Sequence, residues 1–227
     1  MKQKLDHLAI IMDGNARWAK QHNKAKAEGH KRGAEAAKSL IPHMTRLGIK
    51  YLTLYTFSSE NWQRPADEVS ILMSLLSRYI LNETKILTKY GIKLKVIGHL
   101  EKLPNSLQQK IKVAVDNTKD NEQATLCIAF SYGSRAEIVD AFAKAAYEGE
   151  TKITEDNFKN FLYDPKMPDV DLLIRTGNVY RISNFLLWQL AYAELYFSDK
   201  FWPEFTINDL ELALEDYSNR QRNFGAR

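Results

Sequence analysis

Three short segments of this chain join arginine to small polar residues. They are Asp13-Gly14-Asn15-Ala16-Arg17-Trp18, Ser58-Ser59-Glu60-Asn61-Trp62-Gln63-Arg64-Pro65, and Arg175-Thr176-Gly177-Asn178-Val179-Tyr180-Arg181-Ile182-Ser183. Guanidinium groups beside free backbone N–H groups at a helix start make an anion site, and phosphate is the common occupant. Lys26 and His30 add to Arg17 a second basic group, so two clusters point to two phosphorylated groups or one large one. Few carboxylates accompany them. Asp13 stands among the arginines, and Glu194 precedes the apolar run Leu195-Tyr196-Phe197. A carboxylate facing phosphates repels them unless a cation intervenes, and Mg²⁺ commonly bridges one or two carboxylates to substrate phosphates. Read together, these residues predict Mg²⁺-assisted chemistry on diphosphates. Taken singly, each has a plainer reading: Asp13-Gly14-Asn15 as turn chemistry, His30 as a surface histidine, Trp18 and Trp62 as packing, Glu194 as a strand-edge charge.

The surrounding pattern shows what must hold these segments. Short, almost wholly apolar runs at 7–12, 51–57, 92–98, 125–131 and 170–176 read as buried strands, with 194–197 as a sixth. Between them, helical periodicity covers 29–47, 67–90, 104–119 and 134–147. A further helix is expected to open near Ser183, and one over 206–221 is capped by Thr206 or Asn208. Alternating strands and helices imply an α/β fold: a single domain over 1–227 with a central, mostly parallel sheet of about six strands flanked by helices. Ligands of such sheets bind beyond the carboxyl ends of the strands, which is where the three segments fall. The helix over 67–90 carries Val69, Ile71, Leu72, Met73, Leu75, Leu76, Tyr79, Ile80 and Leu81, more than one apolar stripe. Either it is buried all round or its second stripe lines an apolar cavity.

Composition narrows the class. With 44% hydrophobic and 26% charged residues the chain is a folded one, and a net charge of +4 is too mild to argue for nucleic acid. Cys127 is the single cysteine and lies in an apolar run, so neither an internal disulfide nor a cysteine metal site is expected, and the thiol reads as buried. The first apolar run is too short for a signal sequence or a membrane span, so a cytoplasmic location with at most peripheral membrane contact is expected. The chain lacks GxxxxGK[ST], GxGxxG after a strand, GxSxG and a DDxxD pair.

The segments HLAIIMDGNARWA, EGH (28–30), FSSENWQRP (57–65), YGSRAEI (132–138), DLLIRTGNVYRISNFLLWQLAYAELYF (171–197) and WPEF (202–205) resemble, in order and spacing, the signatures of cis-prenyltransferases such as undecaprenyl diphosphate synthases. The resemblance runs from about Leu5 to Gly225. It implies a parallel sheet with an elongated apolar tunnel, Mg²⁺ as cofactor and a homodimer. It also implies condensation of isopentenyl diphosphate onto an allylic diphosphate such as farnesyl diphosphate. The allylic diphosphate would meet Gly14 to Arg17, with Trp18 beside them, Lys26 and His30. Isopentenyl diphosphate would meet Arg175, Arg181, Ile182 and Ser183, and Asp13 and Glu194 would hold the metal. Ser58, Ser59, Glu60, Trp62 and Arg64 would close over the substrates, with Asp13 and Asn61 as the catalytic pair. Two departures stand out. Asn178 and Val179 occupy places where relatives commonly carry glycine and an acidic residue, and Asn tolerates the left-handed backbone. Asn223 stands where relatives often have arginine before Phe-Gly. Some relatives keep this fold as non-catalytic partner subunits, the alternative to an enzyme.

Overall fold

In a computed structural model, which describes residues 4–82 and 84–221, the strands are β1 (His7–Ile11), β2 (Tyr51–Ser58), β3 (Ile92–Ile97), β4 (Ala124–Tyr132), β5 (Leu172–Arg175) and β6 (Glu194–Phe197). They form one six-stranded sheet in the order β3-β4-β2-β1-β5-β6, and all five described pairings are parallel. β1 sits centrally, with Ile10 level with Leu54 on one side and Ile174 on the other. Burial on both faces explains why β1, β2, β4 and β5 read as nearly continuous apolar runs, whereas the edge strands β3 and β6 are only partly buried.

The helices are α1 (Asn15–Gln21), α2 (Lys26–Leu40), α3 (His43–Arg46), α4 (Ala66–Asn82), α5 (Thr84–Lys89), α6 (Asn105–Thr118), α7 (Ser134–Tyr147), α8 (Glu155–Phe158) and α9 (Ile207–Asn219). The helix expected over 29–47 is two, because Pro42 has no N–H for the helical ladder and clashes with the preceding turn. Thr206 begins α9, and both its N–H and its hydroxyl donate to Asp209. The helix expected to open at Ser183 does not form. Ser183, Asn184 and Leu186 have φ of 48°, 60° and 43°, and a left-handed backbone cannot continue a right-handed helix. Residues 183–192 form turns instead.

One layer of core lies between the sheet and α2, α4, α6 and α9, built from residues such as Leu54, Ile92, Leu126 and Trp202. The opposite face is covered by Phe185, Leu186 and Leu190 of the turn segment, against Ala9, Tyr55 and Leu173. Cys127 is fully buried and free, and burial pushes its thiol pKa up. Among the described residues no helix is long and apolar enough to cross a membrane.

Candidate active site

Asp13 follows the carboxyl end of β1 and Arg175 closes β5 beside it. Gly14, with φ of 110°, turns the chain between β1 and α1. A side chain there would be strained and would meet the Phe201 ring at 2.7 Å. Arg175 Nη2 donates to Asp13 Oδ2 at 2.8 Å, and Arg17 Nη2 lies 3.1 Å from Asp13 Oδ1. Burial raises the Asp13 pKa, but the Arg175 hydrogen bond and the Arg17 charge outweigh it, so the net shift is downward. Thr176 fixes the backbone of Asp13, accepting its N–H at 3.0 Å and donating to its carbonyl at 2.8 Å.

Arg175 is 4% exposed. Its Nη1 donates to the Arg181 carbonyl and, at 2.7 Å, to Ser183 Oγ, which draws the 177–183 loop around the guanidinium. Asn178 has φ of 52°, a left-handed backbone that asparagine tolerates.

A second cluster forms where α2 meets α4. Glu68 accepts from Arg64 Nη1 at 2.8 Å and Lys26 Nζ at 3.3 Å, and its Oε1 lies 3.5 Å from His30 Nε2. Burial raises the Glu68 pKa, but Lys26 and Arg64 bring it down overall. Burial lowers the pKa of His30 and, with the Arg64 and Lys26 charges, outweighs the pull of the Glu68 carboxylate, so the imidazole is neutral at pH 7.

Both clusters open on one cavity of about 760 Å³. Its mouth carries Asp13, Arg17, His30, Asn61, Arg64, Arg175, Arg181 and Ser183. Its depth is apolar, running between Ala34, Ala37 and Ile41 of α2 and Leu72, Leu75, Leu76 and Tyr79 of α4, over Leu54, Leu94, Leu126 and Ile128 of the sheet. The second stripe of α4 therefore lines a cavity. Among the described residues, five buried side-chain polar atoms lack a hydrogen-bond partner, and three belong to residues on this wall: Asn15 Oδ1, His30 Nε2 and Arg175 Nε. Unpaired buried polar atoms are rare away from functional sites. The arrangement is a charged mouth for phosphates on a long greasy bore.

Known proteins share this chain's sequence and fold. The family described as "Putative undecaprenyl diphosphate synthase" matches residues 11–225. The chain belongs to the undecaprenyl diphosphate synthase family. It is a prenyltransferase. It is 58% identical to an isoprenyl transferase of Rickettsia typhi over 98% of this chain and 99% of that protein. It is 45% identical to one of Thermotoga maritima over 96% of each. Among solved structures, lavandulyl diphosphate synthase from Lavandula x intermedia, in complex with dimethylallyl diphosphate, superposes with a TM-score of 0.94 at 36% identity, covering 98% of both chains. A probable undecaprenyl diphosphate synthase from Campylobacter jejuni gives 0.84 at 35% identity, over 98% of this chain and 99% of that one.

Within this prenyltransferase, Asp13 to Arg17, His30, Ser58, Glu60, Asn61, Arg64, Arg175, Arg181 and Ser183 share the cavity wall. Six expected residues do not line it. Trp18 is buried behind α1, stacked on His22 at 4.5 Å. Trp62 turns its indole N–H to Ser131 Oγ at 2.9 Å and packs edge-on against Phe57. Ile182 packs with the core under the turn segment. Ser59 turns toward Gly133, and Lys26 reaches the site only through Glu68. Glu194 begins β6, level with Leu172, whereas Asp13 lies past the far end of β1, about 15 Å along the strands at the usual rise per residue. Glu194 is paired there with Arg220 at 2.9 Å, so Asp13 and Glu194 do not converge on one ion within a single chain. Asn223 lies outside the described residues.

Sequence reading missed Glu68, Thr176 and Phe201. Glu68 carried a usable signal, since it follows Arg64 by four residues at the start of a helix. Phe201, whose ring lies 5.3 Å from the Arg17 guanidinium, carried none.

Proposed function

We propose that this enzyme condenses isopentenyl diphosphate with an allylic diphosphate such as farnesyl diphosphate. The product would be a long-chain polyprenyl diphosphate of the undecaprenyl class, a precursor of the lipid carrier for cell-wall glycans. The observation that carries the reading is the 760 Å³ apolar bore opening beneath Asp13, Arg17 and Arg175. Diphosphates suit the mouth and a growing hydrocarbon suits the bore. The whole chain would act as one catalytic domain.

Arg175, Arg181 and Ser183 would hold the acceptor diphosphate, and Asn15, Arg17, His30 and Arg64 the allylic one. Cleavage of the allylic C–O bond leaves both electrons on the departing diphosphate, and fixed positive groups favour that charge where it develops. The donor set fits a divalent ion, because Asp13 is an ionised carboxylate at the mouth and Mg²⁺ needs only one or two such ligands beside phosphate oxygens. When bound, Mg²⁺ would supply further charge neutralisation to the leaving diphosphate. Glu194 could join it only from a second copy of the chain.

C4 of isopentenyl diphosphate forms the new bond, and a proton leaves C2. Asn61 is a neutral amide whose Oδ1 already accepts the Ser58 N–H at 3.0 Å, so it would orient substrate rather than take the proton. Asp13, with its lowered pKa, is a weak base. The departing diphosphate is the better acceptor.

Homodimerisation is supported by exposed Val139 and Phe142 on α7 and by Tyr192 and Leu195 at the open β6 edge. A cytoplasmic location fits the reading, and the lipid product would bring peripheral membrane contact. The presence of Asp13, Asn61, Arg175 and Arg181 at one mouth argues against a non-catalytic partner subunit.

The test is incubation with farnesyl diphosphate, radiolabelled isopentenyl diphosphate and Mg²⁺, with an EDTA control. Long, metal-dependent products are expected. Absence of incorporation with any allylic starter, with detergent present, overturns the reading.

A further inference from the structure

We infer that Asn184 is a positioning residue that latches the 58–64 loop to the 175–183 loop, so that the two diphosphate sites are set by each other. The inference rests on the reading above for what each loop binds. Asn184 lies in the left-handed region, at φ of 60°. Its Nδ2 donates to Glu60 Oε1 at 2.9 Å, across to the loop that follows β2. Its Oδ1 accepts the Arg135 N–H at 2.9 Å and its carbonyl accepts the Ser134 N–H at 2.8 Å. These are the first two N–H groups of α7, which has no side-chain cap of its own. Ser134 Oγ returns a bond by accepting the Leu187 N–H at 2.8 Å. One asparagine therefore ends the acceptor loop, caps α7 and grips Glu60.

Gly133 makes the same point from a different direction. Its backbone is extended, so alanine is conformationally tolerated. A methyl group there would nevertheless lie 2.4 Å from Ser59 Oγ and 2.9 Å from Asn184 Nδ2. The two loops meet over a position too tight for a Cβ. The Asn184 bond also helps hold the Glu60 pKa below its ordinary value, against the effect of burial. Glu60, Arg64 and Asn61 thus take their placement partly from a residue next to Ser183. Movement of Ser183 onto an acceptor diphosphate would be transmitted to the loop carrying Asn61.

The test separates the latch from the cap. Asn184→Asp keeps an acceptor for the helix N–H groups but sets two carboxylates against each other. Glu60→Gln combined with Asn184→Asp restores the bond with donor and acceptor exchanged. In condensation assays Asn184→Asp should raise KM for isopentenyl diphosphate about three- to tenfold, the loss of one partly exposed hydrogen bond to an ionised acceptor. Its Tm should stay within about 2 °C of the parent, because the cap remains. The double variant should return toward Glu60→Gln alone, and Gly133→Ala, a steric wedge, should resemble Asn184→Asp. Amide exchange over residues 58–64 is measured in parallel. It should quicken in Asn184→Asp and slow again in the double variant whether or not the parent turns over, so a failure of the substrate reading stays distinguishable from a failure of the latch. Unchanged exchange in Asn184→Asp, a KM within twofold of an active parent, or a double variant no better than Asn184→Asp would overturn the inference.

Discussion

Asp13→Asn replaces a charge with an isosteric amide and should weaken both the fold and the reaction, by separable amounts. The Arg175 side chain is 4% exposed and that of Asp13 30%, so removing the charge strands a nearly buried guanidinium. Breaking a fully buried pair costs about 3–5 kcal/mol. The partial exposure of Asp13 reduces this to about 2–3 kcal/mol, and the exposed Arg17 contact adds at most about 1 kcal/mol. For a chain of this size each kcal/mol moves Tm by about 2–4 °C, so a fall of about 4–16 °C is expected. The sign with pH follows from the lowered pKa of Asp13 in the fold. Its contribution is complete above the ordinary carboxylate value of 3.8 and is lost as pH falls through the folded value. Urea denaturation of parent and variant should therefore differ at pH 7 and converge on acidification. Turnover should fall by about a hundredfold or more, the scale for one preorganised charge at a developing anion. A Tm unchanged at pH 7, or a difference that persists undiminished in acid, would refute the pairing argument. Near-normal turnover would refute the role in the reaction.

Other perturbations have equally definite outcomes. Glu68→Gln frees Lys26 and Arg64 from their shared carboxylate; KM for the allylic diphosphate should rise several-fold with little change in kcat, as steady-state kinetics would show. His7 is fully buried between the Pro168 carbonyl and Thr53 Oγ1, and burial lowers its pKa from 6.5 to about 4. Its effect is absent above pH 6.5 and grows as pH falls toward 4, where it has removed about 3 kcal/mol of stability; denaturation curves of His7→Gln should show a flatter dependence over that window. Leu76→Trp narrows the bore between α2 and α4, and chromatography of the extracted products should show shorter chains.

Much of this molecule was legible because parallel strands announce themselves. Runs such as LAII and LLI, apolar at every position, have no solvent face, which fixes both their type and their place in the sheet. The arginine segments follow those strands, so the mouth of the cavity could be located before any contact was known. The illegible parts depend on partners distant in sequence. Nothing local to Ser183 says that it turns left-handed, since the turn segment is held by α7 and the sheet face it covers. Glu194 looked like a ligand because it is a carboxylate beside an apolar strand, and only the register of β6 against β5 shows that it lies far from Asp13 within one chain. Trp18 shares a segment with Arg17, but one residue along a helix turns a side chain about 100° from the cavity.

The central place of β1 gives the chain a history as well as a shape. Its partner on one side, β2, is complete by Ser58, but its other edge waits for Leu172–Arg175, about 160 residues later. At usual synthesis rates that interval is roughly 10–30 s. Throughout it, a short, mainly apolar strand presents unpaired backbone groups, the kind of edge that recruits unwanted strands. Thr176, which clasps Asp13, arrives with the same segment. The newborn polypeptide is thus most open to misassembly just before Asp13 is seated, and its dependence on chaperones during translation should be concentrated in that interval.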